Sequence, residues 1–108
     1  DETRNIISAR ELAMMKPGSY LVNTSRGGTV NEQDLYEALK SGHLAGAAMD
    51  VIEKEPMPAD HPLLSIPNFT MTPHMGMYSE EAVGAVSLIC AQNVAAIAKG
   101  EPLKFQVV

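Results

Sequence analysis

Three short apolar runs, each cut off by polar residues, set the terms on which this chain of 108 residues can fold. Tyr20-Leu-Val-Asn23 gives way to Thr24-Ser-Arg-Gly-Gly28, Leu44 to Met49 ends at Asp50, and Phe69-Thr-Met-Thr72 ends at Pro73-His74. Short continuous apolar runs of this kind suit strands of a parallel sheet, which are covered on both faces. Helix signals lie between them. Ser8-Ala-Arg-Glu11 reads as a capping box opening a helix to about Met15, which Pro17-Gly18 stops. Asn31 is a helix N-cap with Glu32 and Asp34 in the first turn, a stripe of Leu35, Ala38 and Leu39, and Gly42 as the stop. Small residues from Ala45 to Ala48 let a neighbouring element come close to the second strand.

From Val51 to Asn68 four prolines (Pro56, Pro58, Pro62 and Pro67) exclude a continuous helix or a central strand, so a long loop is expected. Ser79 then caps a long helix whose Val83, Val86, Ile89, Cys90, Asn93, Val94 and Ile97 recur at spacings of three and four. Gly100 and Pro102 end it. Helices alternating with strands predict an α/β fold: about three parallel strands with flanking helices, plus a long C-terminal helix.

Parallel strands place their carboxyl ends on one edge of the sheet, where open α/β folds bind ligands. That edge would gather Arg26, then Asp50 and Glu55, then His74. Arg presents a rigid fork of donors that grips a carboxylate with two hydrogen bonds. His carries the proton that moves near neutral pH, and an adjacent carboxylate fixes its tautomer and favours the imidazolium. The set describes a carboxylate-bearing substrate held by Arg26 and protonated or deprotonated by His74, with Glu55 as orienter. Each residue alone has an ordinary reading: Arg26 in a surface turn, His74 hydrogen-bonding a turn after Pro73, Glu55 in the solvated run Glu53-Lys-Glu55. His43 and His61 read as loop residues. Met14, Met15, Met71, Met75 and Met77 read as packing or pocket lining. No Gly-x-Ser-x-Gly elbow frames Ser25, and the scattered histidines lack metal-ligand spacing.

A net charge of −5 argues against nucleic acid as a partner. No apolar run is expected to approach the ~20 residues of a membrane helix. One cysteine, Cys90, fits a reducing compartment and is expected to be buried and inert on the apolar face of the last helix. No secretion leader is visible, and a polar start at Asp1 rather than Met leads us to expect a fragment of a longer polypeptide.

Asn23-Thr-Ser-Arg-Gly-Gly28, Asp50-Val-Ile-Glu-Lys-Glu-Pro56 and Thr72-Pro-His-Met-Gly76 together resemble three ordered signatures of the NAD(P)-dependent D-2-hydroxyacid dehydrogenases. Met14-Met-Lys-Pro-Gly18, Leu35-Tyr-Glu-Ala-Leu39, His61-Pro-Leu63 and Ser79-Glu-Glu-Ala82 extend the resemblance over nearly the whole chain. It implies the second half of a Rossmann-type doubly wound parallel sheet. Residues 1–108 would form the catalytic half of an NAD(P)-binding domain, and 79–108 a C-terminal helix and tail packing back toward a substrate domain. By resemblance, Arg26 binds the carboxylate and keto oxygen of a small 2-oxo or 2-hydroxy acid. His74 is the general acid/base and Glu55 its hydrogen-bond partner. Asp50 holds the nicotinamide carboxamide, and Thr24, Ser25, Arg26, His74 and Gly76 border the nicotinamide. The formate-oxidising branch of the family has Gln where this chain has Glu55. A cytoplasmic location is expected, and a homodimer for the full-length protein. The family's Gly-x-Gly-x-x-Gly phosphate loop has no counterpart in these residues, so the chain alone is expected to bind NAD weakly and turn over nothing. The similar co-repressors, which sense NAD(H) and bind protein partners on the same scaffold, leave an interaction module open as the alternative.

Overall fold

A computed structural model describes residues 2–106; Asp1 and residues 107–108, the two ends of the span expected above, lie outside the described residues. The chain divides into two compact units, Asp1–Met75 and Gly76–Val108. The first runs through helix α1 (Ala9–Met14), strand β1 (Ser19–Asn23), helix α2 (Glu32–Lys40), strand β2 (Leu44–Met49), a 3₁₀ turn (Pro62–Ser65) and strand β3 (Phe69–Met71). Helix α3 (Glu80–Lys99) makes up most of the second. The sheet has the order β1-β2-β3 with both pairs parallel, as the alternation of helix and strand predicts.

Local chemistry explains the boundaries. The Ser8 backbone N–H and hydroxyl both donate to Glu11 Oε2, at 3.1 and 2.7 Å, and start α1. Those two bonds hold the Glu11 carboxyl below its ordinary range. Asn31 Oδ1 accepts the Asp34 N–H at 3.0 Å and opens α2. Gly42 follows α2 at φ +75°, a conformation that costs a residue with a Cβ. The proline-rich loop is not wholly irregular: Pro62 starts the 3₁₀ turn, and His61 Nδ1 accepts the Leu63 N–H at 3.3 Å.

Leu21, Ala47 and Phe69 sit side by side across the sheet, and Asn23, Met49 and Met71 form the next row. The apolar members of these rows meet Leu12 of α1, Leu35 and Leu39 of α2, and Leu63 of the 3₁₀ turn in one core. Leu12, Leu35, Leu44 and Leu63 are at most 1% exposed. Each such side chain contributes about 1.5–3 kcal/mol by leaving water. The opposite face differs from expectation. Tyr20 and Val22 of β1 are 72% and 70% exposed, so β1 is buried on one face and not on two. Alternation along the strand sends Leu21 and Asn23 inward and Tyr20 and Val22 outward.

Helix α3 is capped as expected: Ser79 Oγ accepts the Ala82 N–H at 3.1 Å, and Gly100 ends the helix at φ +68°. Two expectations for it are corrected. It has no buried residue, and Cys90 is exposed, because the apolar stripe has nothing in its own unit to pack on. It is also long and apolar enough, by length and composition, to cross a membrane. Its charges, Glu80, Glu81 and Lys99, lie only at its ends, leaving an uncharged span between them. Asn93 fastens the tail by giving Nδ2 to the Lys104 carbonyl at 3.2 Å and accepting the Lys104 N–H at 3.0 Å.

Candidate active site

The carboxyl ends of the three strands lie next to one another. The Asp50 N–H donates to the Asn23 carbonyl at 2.9 Å, and the Thr72 N–H to the Met49 carbonyl at 3.0 Å. The turns that follow β1, β2 and β3 therefore leave the sheet from one edge, and these turns carry the residues that the sequence singles out.

The turn after β1 is tied by Asn23, a buried amide only 6% exposed. Its Oδ1 accepts the Ser25 N–H at 3.0 Å and the Ser25 hydroxyl at 2.8 Å. Its Nδ2 donates to the Arg26 carbonyl at 3.3 Å and to Thr29 Oγ1 at 3.2 Å. Burial of an amide is costly unless its hydrogen-bonding capacity is filled, and here the turn fills it. Thr24, Ser25 and Arg26 are held out on the exposed side of that turn. The Arg26 guanidinium donates through Nη1 to the Ser25 carbonyl at 2.7 Å.

The turn after β3 is tied by Asp50, 7% exposed. Asp50 Oδ1 accepts the Thr72 hydroxyl at 2.5 Å and the Met75 N–H at 2.9 Å. Between those two points the chain passes through His74 at φ +52°, the left-handed region, where a residue with a Cβ is uncommon. The conformation aims the imidazole at Glu55: His74 Nδ1 lies 2.8 Å from Glu55 Oε2. Glu55 Oε1 accepts the Ile52 N–H at 3.2 Å, so the carboxylate is braced from behind. The His74 hydrogen bond, with that of Ile52 second, holds the Glu55 carboxyl below its ordinary range. An ionised Glu55 accepts, so Nδ1 donates and Nε2 is the ring nitrogen not engaged by Glu55.

Glu55 and His74 line a cleft of about 520 Å³, walled by Met57, Leu64 and Met71. The pair itself is open to solvent, with the His74 and Glu55 side chains 45% and 38% exposed. Arg26 borders a different groove, with Leu21, Val22 and Val30. The structure thus joins Glu55 to His74 and sets Arg26 on the same sheet edge without contact to them. Gly76 begins the second unit. Met71 lines the cleft, whereas Met14 is 76% exposed and packs little.

Two organising residues escape the sequence reading. Asn23 is legible in retrospect, since Asn with Ser two residues on is the pattern of an Asx turn. Thr72 has no such signal, because its partner Asp50 is 22 residues away. His61 is also more than a loop residue: its Nε2 lies 3.1 Å from Glu32 Oε2, tying the 3₁₀ turn to the start of α2. Among the described residues no group of His, Cys, Asp and Glu has the arrangement of a metal site.

The parallel sheet edge, the anchored His–Glu pair and the adjacent Arg-bearing turn can be set beside known proteins. The family model described as "D-isomer specific 2-hydroxyacid dehydrogenase, NAD binding domain" matches residues 1–76. The chain belongs to this family. A D-3-phosphoglycerate dehydrogenase of Methanocaldococcus jannaschii is 45% identical over 100 residues, covering 93% of this chain and 19% of that protein. A glyoxylate reductase of Korarchaeum cryptofilum is 43% identical over 101 residues, covering 94% of this chain and 30% of that protein. A D-isomer specific 2-hydroxyacid dehydrogenase of Xanthobacter autotrophicus Py2, solved with NADPH and MES, superposes with a TM-score of 0.84 at 36% identity, covering 99% of this chain and 43% of that one. The chain spans less than half the length of each.

The donor set fits one end of a nicotinamide dinucleotide. A carboxylate at the sheet edge, Asp50, matches the N–H donors of a carboxamide, and Thr24 and Ser25 offer hydroxyls on the exposed side of the neighbouring turn. The glycines after Arg26 are not spaced as a phosphate cradle, and Gly27 lies against protein backbone.

Proposed function

We propose that these residues form the proton-transfer half of an NAD(P)-dependent dehydrogenase that interconverts small 2-oxo and 2-hydroxy acids. The carrying observation is His74 Nδ1 at 2.8 Å from a Glu55 carboxylate that the Ile52 N–H fixes in turn. With Nδ1 committed to Glu55, His74 Nε2 gives its proton to the carbonyl oxygen in reduction and takes the hydroxyl proton in oxidation. Glu55 holds the imidazole ring in place through Nδ1. Arg26, released from the Ser25 carbonyl, binds the substrate carboxylate with two parallel N–H donors. Asp50, Thr24 and Ser25 would hold the nicotinamide end. The bound dinucleotide supplies or accepts the hydride. Met57, Leu64 and Met71 give the cleft beside the pair an apolar wall.

The same reading makes the intact protein a cytoplasmic homodimer whose partner molecules are small acids, not nucleic acid or membrane. The net charge of −5 over these residues speaks against nucleic acid, and the single cysteine fits a reducing compartment.

The test is kinetic. In the intact protein, assayed with NADH and NADPH against a panel of 2-oxo acids, His74→Ala is expected to lower kcat by about 10²–10⁴. Arg26→Lys is expected to raise KM for the acid more than it lowers kcat, because the paired contact is lost. Full activity in His74→Ala would refute the assignment.

A further inference from the structure

Gly27 is the place where the Arg26 turn meets the backbone that carries Glu55. A Cβ built on Gly27 would lie 2.0 Å from the Ile52 carbonyl oxygen, 2.3 Å from its carbonyl carbon and 2.8 Å from the Glu53 nitrogen. These neighbours are main-chain atoms, and Ile52 itself is 2% exposed, so they have no side-chain freedom with which to yield. The two backbones touch here because one of them has no side chain. The same Ile52 gives its N–H to Glu55 Oε1 at 3.2 Å, and Glu55 Oε2 meets His74 Nδ1 at 2.8 Å. A continuous run of contacts therefore leads from the Arg26 turn through Gly27, Ile52 and Glu55 to the imidazole. At the other end of the turn Asn23 spends its whole amide on Ser25, Arg26 and Thr29.

We propose that Asn23 and Gly27 are positioning residues that set the Arg26 guanidinium at a fixed station relative to the Glu55–His74 pair. Asn23 ties the turn to the end of β1, and Gly27 seats it on Ile52. The inference rests on the reading of Arg26 as the carboxylate anchor. Its physical basis is that a displacement of about 1 Å in a group that orients the substrate costs on the order of 10²-fold in rate. A methyl on Gly27 has to displace the turn or the Ile52 carbonyl, and either movement changes the span between Arg26 and His74.

The experiment uses the intact protein with glyoxylate as the probe acid. Asn23→Ala and Gly27→Ala are each expected to lower kcat/KM for glyoxylate by roughly 10–10²-fold, chiefly through a raised KM. Asn23→Asp keeps the acceptor for Ser25 and loses the donor to Arg26 and Thr29, so it is expected to recover part of the loss. KM does not depend on how much of a preparation is folded, so Asn23→Ala decides the matter even if Gly27→Ala folds poorly. A lowered melting temperature with unchanged KM and kcat in Asn23→Ala would reduce the role to structure and overturn the proposal. Arg26→Ala is measured alongside. If it too leaves the KM for glyoxylate unchanged, the reading of Arg26 has failed. If it alone raises KM, only the positioning roles have failed.

Discussion

Asn23 and Asp50 end neighbouring strands, are 6% and 7% exposed, and each holds a turn that carries a proposed site residue. They do so by different means. Asn23 works locally: every partner of its side chain lies two to six residues ahead, and the turn closes on itself. Asp50 works at long range: two of its partners, Thr72 and Met75, are 22 and 25 residues on, so it sews the end of β2 to the turn after β3. The neutral amide both donates and accepts, as suits a turn with N–H, hydroxyl and carbonyl groups to satisfy. The carboxylate only accepts, as suits a turn that offers a hydroxyl and an N–H. The burden differs too, since Asp50 holds a chain that passes through His74 at φ +52°. A left-handed non-glycine residue costs of order 1–3 kcal/mol and persists only where its surroundings impose it.

The sharpest way to break this comparison is to remove each tie and measure unfolding of the intact protein in urea. Hydrogen bonds to a charged acceptor contribute about 1.5–3 kcal/mol each and neutral ones about 0.5–1.5. Asp50→Ala is therefore expected to lose about 2–4 kcal/mol, and Asn23→Ala distinctly less. Equal losses, or the reverse order, would mean that the long-range tie is not the stronger one. The next effect isolates turn chemistry away from the site. Asn31→Ala removes the cap of α2 and is expected to cost about 1 kcal/mol of stability while kcat and KM stay at wild-type values. A changed KM there would show that the site senses stability in general and not the ties in particular.

The smallest effect tests the partner of His74. Glu55 has its carboxyl held below the ordinary 4.5 by the His74 and Ile52 hydrogen bonds. A depressed carboxyl stabilises the folded state fully above its unfolded value, and the contribution fades as pH falls through the lowered folded value. The stability difference between wild type and Glu55→Gln should thus be constant above about pH 5 and shrink below about pH 4.5. A difference that ignores pH across that range would show that the hydrogen bonds do not hold the ionised form.

What could be read from the residues follows the same division between local and distant. Helix α2 was legible because Asn31, its acidic first turn, Leu35, Leu39 and Gly42 are all short-range signals for one element. The strands were legible as apolar runs, and their parallel sense followed from the helices between them. The placement of Arg26, Asp50 and His74 on one edge came from topology, and the His74–Glu55 bond from knowing which chemistries belong together. Thr72 on Asp50, Gly27 on Ile52 and the left-handed His74 were not legible, because each depends on two segments meeting in space. The burial of Cys90 and the stripe on α3 failed for a related reason. Apolar periodicity says which face of a helix seeks cover and nothing about whether the cover lies within the same stretch of chain.

The half-covered strand β1 carries a practical message about solubility. Its outward side chains, Tyr20 and Val22, present apolar surface along the margin of a three-stranded sheet. Such a margin is a template for strand-to-strand association between molecules. Handled in isolation at high concentration, these 108 residues are therefore prone to self-association. A charge introduced at Val22 would be the simplest gatekeeper, since that side chain points away from the core.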